Sequence, residues 1–428
     1  MVLKRLSDFA NKIRNGFFNM LEHNDKLVYF VIITILSLFL RVLLFDCIKW
    51  DFEGFLQPWY ERIYNGGFKE LGTSFGDYTP AYYYLLWILS LFRFEPDSMS
   101  VLYGIKTISI IFDYVLAVFA MLSCYELTKN KSKSILCYTL VVFGLTVFLN
   151  SSLWGQCDAI YASMCVATLY FLLKGKPNTS MIFYGIAFSF KLQSIFILPI
   201  IMVLFLRKGF KLKYLLWIPL IYIAFAIPSC LVADNFFTRL IQILAVYVNQ
   251  SAASYKEIAL NCGSFYSLIF TNFKQEDFVQ RFALFLAIAV IGSYMFFIYR
   301  SKEKFTPKTW LSIATLFVLL CPYILPHMHE RYFYIADILV CIYALVNPKK
   351  FYVAILAITN SMIGYMVYLW NIPFINVVPQ ESVDGTKALS FRFGAILYLI
   401  AIIIVSIDLF KTIYPNGLKD EEDLKLLN

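Results

Sequence analysis

Charge is what this chain has least of. Only 15% of its 428 residues are Asp, Glu, Lys or Arg, against 60% hydrophobic, and the mean hydropathy is +0.69. A soluble domain of that composition would lack the polar surface needed to stay in solution. Alternation of polar and apolar residues is also lacking, which excludes an outer-membrane barrel. The nine cysteines form no Cys-x-x-Cys pair and read as small buried hydrophobes. No internal repeat, low-complexity stretch or separate soluble domain interrupts the chain. The formal net charge of +9 does not point to nucleic acid. Lys and Arg sit in short clusters between apolar runs, the signature of cytoplasmic loops.

What the chain does have is apolar runs long enough to cross a bilayer, so an all-α, polytopic integral membrane protein is expected. Spans are predicted at about 27–45, 101–128, 134–149, 159–173, 178–190, 193–206, 214–233, 281–299, 309–325, 333–347, 351–370 and 391–411, about twelve crossings with both termini inside. Residues 1–26 read as a cytoplasmic amphipathic arm, rich in Lys and Arg, lying on the inner leaflet. The first span is too long for a cleaved signal peptide and is not followed by small residues. Residues 27–411 form one transmembrane domain, and 412–428 a cytoplasmic tail carrying Asp420, Glu421, Glu422 and Asp423.

Two outer loops stand out, 46–100 and 234–280. In the first, Phe55, Leu56, Trp59, Tyr60, Ile63 and Tyr64 recur at helical spacing and predict an interfacial helix over Glu53–Leu71. In the second, Leu240–Val248 predicts another. The apolar segment Ala81–Phe94 decides the topology. If it crosses, Lys129, Lys131 and Lys133 fall outside. If it only dips into the outer leaflet, these lysines fall inside, with Lys174, Lys176, Arg207, Lys211, Lys213, Arg300, Lys308, Lys349 and Lys350. The positive-inside rule selects the segment that does not cross.

With that topology, the polar residues that break the apolar pattern gather on the outer side. They are Asp51, Glu53 and Asp77 in the first loop; Trp154, Gln156 and Asp158 in one turn; Lys191 and Gln193 in another; and His327, His329, Glu330 and Arg331 in a third. Ionisable residues at membrane depth are costly, so each is a functional candidate. Each also has a plainer reading. Asp158 is placed to cap the helix that follows it, and Lys191 to snorkel to headgroups. Glu330 and Arg331 are placed to pair with neighbours, and His329 to be a hydrogen-bonded turn residue. His327 and His329 with Asp158 are weak evidence for a metal, so a divalent ion is not indicated. Lys106 and Asp113, inside one span, read as a structural ion pair or as cavity lining.

Five blocks in order carry a resemblance. They are Trp50-Asp51-Phe52-Glu53-Gly54-Phe55-Leu56-Gln57-Pro58-Trp59-Tyr60; Gly76-Asp77-Tyr78-Thr79-Pro80; Trp154-Gly155-Gln156-Cys157-Asp158-Ala159-Ile160-Tyr161; Phe190-Lys191-Leu192-Gln193 with Pro199; and Met328-His329-Glu330-Arg331-Tyr332-Phe333-Tyr334 with Asp337. Together they resemble the GT-C superfamily of polyprenyl-phosphate-sugar-dependent glycosyltransferases. Within it, they are similar to bacterial relatives of the second mannosyltransferase of GPI-anchor assembly. The similarity covers the chain to about residue 370. Thr79-Pro80 departs from the Pro-Pro often found in relatives, and nothing after Trp370 takes part.

The resemblance implies a GT-C-like bundle with a non-crossing segment in the first outer loop. It also implies transfer of a hexose from a polyprenyl-phosphate donor to a lipid-linked or cell-surface glycan acceptor, at the outer face of the plasma membrane. Asp51 is the expected general base, ahead of Asp77 and Glu53, because it lies nearest the end of the first span. Arg331, Lys191 and His329 are expected at the donor phosphate. Gln156, Asp158, Gln193, Trp154, Tyr78 and Glu330 are expected at the sugar or lipid, with Trp50 and Trp59 as further flat faces unless they are interfacial belt residues. The rival from another class is a transporter or flippase of lipid-linked saccharides, which should show repeated halves and broken helices at the midplane. An inactive relative that scaffolds other surface enzymes is a third reading.

Overall fold

A computed structural model describes residues 25–207, 209–252, 257–372, 383–415 and 417. Nearly all of the basic arm, the acidic tail sequence Asp420–Asp423 and part of the segment before the last helix lie outside the described residues. The described chain is predominantly helical. Its helices are α1 (Asp25–Val42), α2 (Gln57–Gly66), α3 (Pro80–Ser90), α4 (Met99–Thr128), α5 (Lys131–Val142), α6 (Asp158–Leu173), α7 (Pro177–Phe190), α8 (Leu198–Leu206) and α9 (Trp217–Leu231). They continue with α10 (Phe236–Ala252), α11 (Asp277–Arg300), α12 (Pro307–Ile324), α13 (Tyr334–Val346), α14 (Tyr352–Trp370) and α15 (Val383–Ile413). A two-residue parallel pair, β1 (Ala259–Leu260) with β2 (Met328–His329), ties the long loop to the turn after α12.

Local chemistry accounts for many of the helix ends. Pro80, Pro177 and Pro307 open α3, α7 and α12, where a missing N–H costs nothing. Asn130 accepts from the Lys133 N–H at the start of α5, and Thr306 accepts from the Thr309 N–H at the start of α12. Lys106, from within α4, donates to the carbonyls of Leu44, Phe45 and Cys47 at 2.8, 2.9 and 2.7 Å. A cation placed there satisfies carbonyls just past the end of α1. Lys106 is therefore not the partner of Asp113, which pairs with Arg41 of α1 instead.

Among the described residues, six helices are long and apolar enough to cross a membrane: Met99–Thr128, Leu212–Leu231, Asp277–Arg300, Pro307–Ile324, Pro348–Trp370 and Lys387–Ile413. A seventh arises if Lys131–Val142 and Leu145–Trp154, bent by 44°, form one span. This is the architecture of a multi-pass membrane protein. The core lies around α12 and α13, most of whose side chains are buried. In contrast, α11 turns Phe278, Phe282, Phe285 and Ile288 outward, an apolar face suited to lipid.

The short helix α3 has 11 residues, about 16 Å at the α-helical rise against about 30 Å of hydrocarbon. Just before it, Thr79 donates to the Ser189 carbonyl near the end of α7. Just after it, the Phe94 carbonyl accepts from the Tyr60 hydroxyl of α2 at 2.8 Å. Both its flanks are thus tied to elements of the first loop or to the end of α7 that leads into Lys191.

Candidate functional site

The helices place the sequence candidates at one end of the bundle and the lysine-rich turns at the other. Helix α6 runs from Asp158 to the turn with Lys174 and Lys176, and α7 returns from that turn to Lys191. Two π-helical turns shape the candidate end. One, Phe52–Leu56, follows Asp51 directly; the other, Leu149–Trp154, ends on Trp154. Such turns widen the backbone spiral and re-aim side chains, and they recur at functional sites. Gly155 then takes φ +80°, a left-handed conformation open to glycine at little cost, so the chain turns from Trp154 into α6.

The two turns are joined by a hydrogen bond. Trp154 Nε1 donates to Asp51 Oδ2 at 2.6 Å, and the Tyr368 hydroxyl of α14 donates to the same oxygen at 2.6 Å. Asp51 Oδ1 accepts from Arg331 Nη1 at 3.2 Å. Asp51 is buried, whereas Glu53 and Asp77 are exposed. Burial by itself would raise the Asp51 pKa. The Arg331 charge and the hydrogen bonds from Tyr368, Trp154 and Arg331 outweigh it and hold the carboxyl below its ordinary value.

A second buried ion pair lies alongside. Lys191 Nζ pairs with Asp158 Oδ1, and Asn150 Nδ2 donates to Asp158 Oδ2 at 3.0 Å. Lys191 thus stays inside rather than snorkelling outward, and its ammonium lies 5.6 Å from the Tyr78 ring centre and 5.9 Å from that of Tyr161. Asp158 sits in the first turn of α6, with its two carboxylate oxygens accepting from Lys191 and Asn150. Asn150 also donates to the Tyr365 hydroxyl at 3.1 Å, and Tyr365 packs edge-on against Trp154. One continuous run of contacts therefore joins Lys191, Asp158, Asn150, Tyr365, Trp154, Asp51 and Arg331.

Trp154 is fully buried, stacked on Tyr368 with ring centres 4.6 Å apart, while the Arg331 guanidinium lies 5.5 Å from its ring centre. It is therefore a hydrogen-bond donor to Asp51 more than a flat surface for a ligand. Trp59 is buried among Phe55, Tyr78 and Tyr83, whereas Trp50 is exposed. Gln156, Gln193 and Glu330 are buried at the same end. Arg331 Nε, Gln193 Oε1, Glu330 Oε2 and the Tyr161 hydroxyl have no hydrogen-bond partner among the described residues. Buried polar atoms are almost always satisfied, so this concentration calls for a functional explanation.

Glu330 follows β2, where Gly364 of α14 packs against it so closely that a Cβ would lie 2.7 Å from the Glu330 Cβ. Burial pushes the Glu330 carboxyl up to about 8, against the opposing pull of Arg331. Burial, then the Arg331 and Lys191 charges, push His329 down to about 3, so it stays neutral at physiological pH. His327 Nδ1 lies 2.9 Å from the Glu257 carbonyl, and the His329 ring packs on Tyr332. No group of three metal-ligating side chains occurs among the described residues.

The raised Glu330 pKa has a stability consequence with a definite sign. A folded-state pKa of about 8, against an ordinary 4.5, means the folded protein holds a proton that the unfolded chain has released. The contribution is complete below pH 4.5 and is lost as pH rises through 8, with a limiting slope of about 1.4 kcal/mol per pH unit. Glu330→Gln is expected to remove this decline from thermal unfolding curves measured between pH 5 and 8. An unchanged pH slope would show that Glu330 is ionised when folded.

Sequence reasoning missed Tyr368, Tyr365 and Asn150. The tyrosines are two among 30, with nothing in their spacing to mark them. Asn150-Ser151-Ser152 does interrupt an apolar run, and that was the available signal. No protein-family model matches the chain, and no curated protein is significantly similar to it.

Proposed function

We propose that the cluster is the catalytic centre of a GT-C-type membrane glycosyltransferase. It transfers a hexose, with inversion, from a polyprenyl-phosphate donor to a lipid-linked or cell-surface glycan acceptor. The observation that carries this reading is the joining of two buried acid–base pairs, Asp51–Arg331 and Asp158–Lys191, at the helix ends opposite the lysine-rich turns. By the positive-inside rule those turns face the cytoplasm and the cluster faces outward, in a plasma-membrane bundle of about twelve crossings.

The chemistry follows from the partners. Asp51 is ionised at neutral pH and takes the proton of the acceptor hydroxyl as its oxygen bonds to the anomeric carbon. The bond from that carbon to the phosphate oxygen breaks, and polyprenyl phosphate leaves with the electron pair. Arg331 and Lys191 receive the phosphate charge. As Arg331 turns to the phosphate it loosens its hold on Asp51, whose proton affinity rises when a base is needed. Neutral His329 and Gln193 supply hydrogen bonds, and Glu330, protonated at pH 7, adds a donor.

Reconstituted protein offered a panel of polyprenyl-phosphate sugars is expected to release free polyprenyl phosphate from one of them when an acceptor extract is present. Folded protein that releases none from any donor would overturn the reading. Arg331→Ala is expected to weaken donor binding about 10- to 100-fold, the worth of a charged hydrogen bond. An unchanged dissociation constant would remove Arg331 from the phosphate.

A further inference from the structure

At the opposite end of the bundle, the C-terminal halves of α4, α6 and α13 and the start of α12 enclose a cavity of about 400 Å³, within the usual range of about 300–1,000 Å³ for ligand sites. Its walls are apolar, from Leu127, Leu169, Leu204, Phe210, Trp310 and Leu339 among others. The one hydroxyl-bearing wall residue is Ser123, 3% exposed, whose Oγ has no hydrogen-bond partner among the described residues. Gly175, Gly209 and Pro307 line the cavity and are exposed, so it reaches the protein surface there.

That surface is basic. Lys176 lies between the lining residues Gly175 and Pro177, Lys308 follows Pro307, Lys211 follows Phe210, and Lys304 precedes Phe305. All four are exposed. The Arg207 guanidinium stacks on Phe305 at 3.8 Å while donating to the Ile298 carbonyl in the last turn of α11 and to the Ser301 carbonyl just past it. Of the nearby acids, Glu126 is held by Lys129 and Lys174, which leaves Glu303 beside Lys304.

An apolar slot with a cationic mouth fits an amphiphile with a negative head. We propose that the cavity takes one acyl chain of an anionic membrane phospholipid, whose phosphate rests against Lys176 and Lys308. The occupant is a lipid of the leaflet beside the lysine-rich turns. Helix α6 alone separates Asp158 from this mouth by about 24 Å at 1.5 Å per residue, so a ligand with its phosphate at Arg331 cannot present that phosphate here. The inference depends on the chain being a membrane protein and not on its being a transferase.

The test uses the full-length protein in phosphatidylcholine vesicles doped with a trace of phosphatidylglycerol carrying a photoreactive group on one acyl chain. Adducts are expected on peptides covering 166–173 and 305–314. They should exceed those from equally labelled phosphatidylcholine by about 5- to 30-fold, the preference that one or two lysines near a headgroup confer. Ala314→Phe, which fills the cavity, should abolish the adducts. Lys176→Glu with Lys308→Glu, at two exposed positions, should erase the preference even if the cavity variant does not fold. Equal labelling by both lipids would overturn the proposal, as would a preference that survives the charge reversal. Competition by polyprenyl phosphate but not by unlabelled phosphatidylglycerol would assign the cavity to an isoprenoid tail instead, and also overturn it.

Discussion

Asp51→Asn is expected to lower turnover by about 10²- to 10⁴-fold, the usual worth of a positioned general base, while donor binding is kept or tightened. The substitution preserves size, and the amide oxygen still accepts from Trp154 or Tyr368, which now meet at one carboxylate oxygen. What it removes is the charge opposite Arg331. A guanidinium relieved of that partner has more of its charge to offer a phosphate, so affinity for the donor should not fall. The two effects move in opposite directions, which distinguishes a lost base from a collapsed site. Glu53→Gln and Asp77→Asn, at exposed positions, should leave turnover within a few-fold of the parent. Steady-state release of polyprenyl phosphate, together with donor titration, measures all three. Near-normal turnover in Asp51→Asn would transfer the role of base to another group.

How much of this was legible beforehand depends on whether the signal was local. Apolar runs of spanning length are local, and helices occur at every predicted span; six of them meet the length and apolarity needed to cross a membrane. Lysine parity around α3 depends only on counting charges, whereas the ties at its two flanks, Thr79 to Ser189 and Tyr60 to Phe94, carry no sequence signal. The predicted interfacial stretches Glu53–Leu71 and Leu240–Val248 also coincide with helical elements. Partnerships were less accessible. Lys106 and Asp113 share a helix and invite pairing, yet each reaches across to α1 or the chain just beyond it. Trp154 looked like a ring surface, because nothing in a sequence distinguishes an interfacial indole from one buried against two tyrosines. The π-turns that aim Asp51 and Trp154 at each other depend on tertiary packing, which no periodicity encodes.

The pair that sequence proximity concealed should also dominate the stability of this end of the bundle. Arg41 and Asp113 are both fully buried, with Arg41 Nε and Nη2 at 3.2 and 3.1 Å from Asp113 Oδ2. Tyr114 and Phe148 stand over the guanidinium. Ser151 also donates to Asp113 Oδ2, at 2.5 Å, and the Tyr334 hydroxyl to Oδ1 at 3.4 Å. Arg41→Met would leave a carboxylate buried with only hydroxyl donors, and is expected to cost about 3–5 kcal/mol. Replacing both, as Arg41→Met with Asp113→Leu, removes the stranded charge and should recover most of that loss. Recovery will fall short by about 1–3 kcal/mol because the buried Tyr334 hydroxyl loses its acceptor, whereas Ser151 can still donate to the Val147 carbonyl. Unfolding midpoints in detergent for the parent, both single variants and the double variant give the coupling energy directly. Additive losses would mean the pair is not what holds α1 to α4. Ser151 belongs to the same π-turn as Trp154, so the single variant should also slacken the Trp154–Asp51 hydrogen bond and reduce turnover, while the double variant regains both. Stability recovered without activity would show that the pair acts on the site through its charge as well as through its packing.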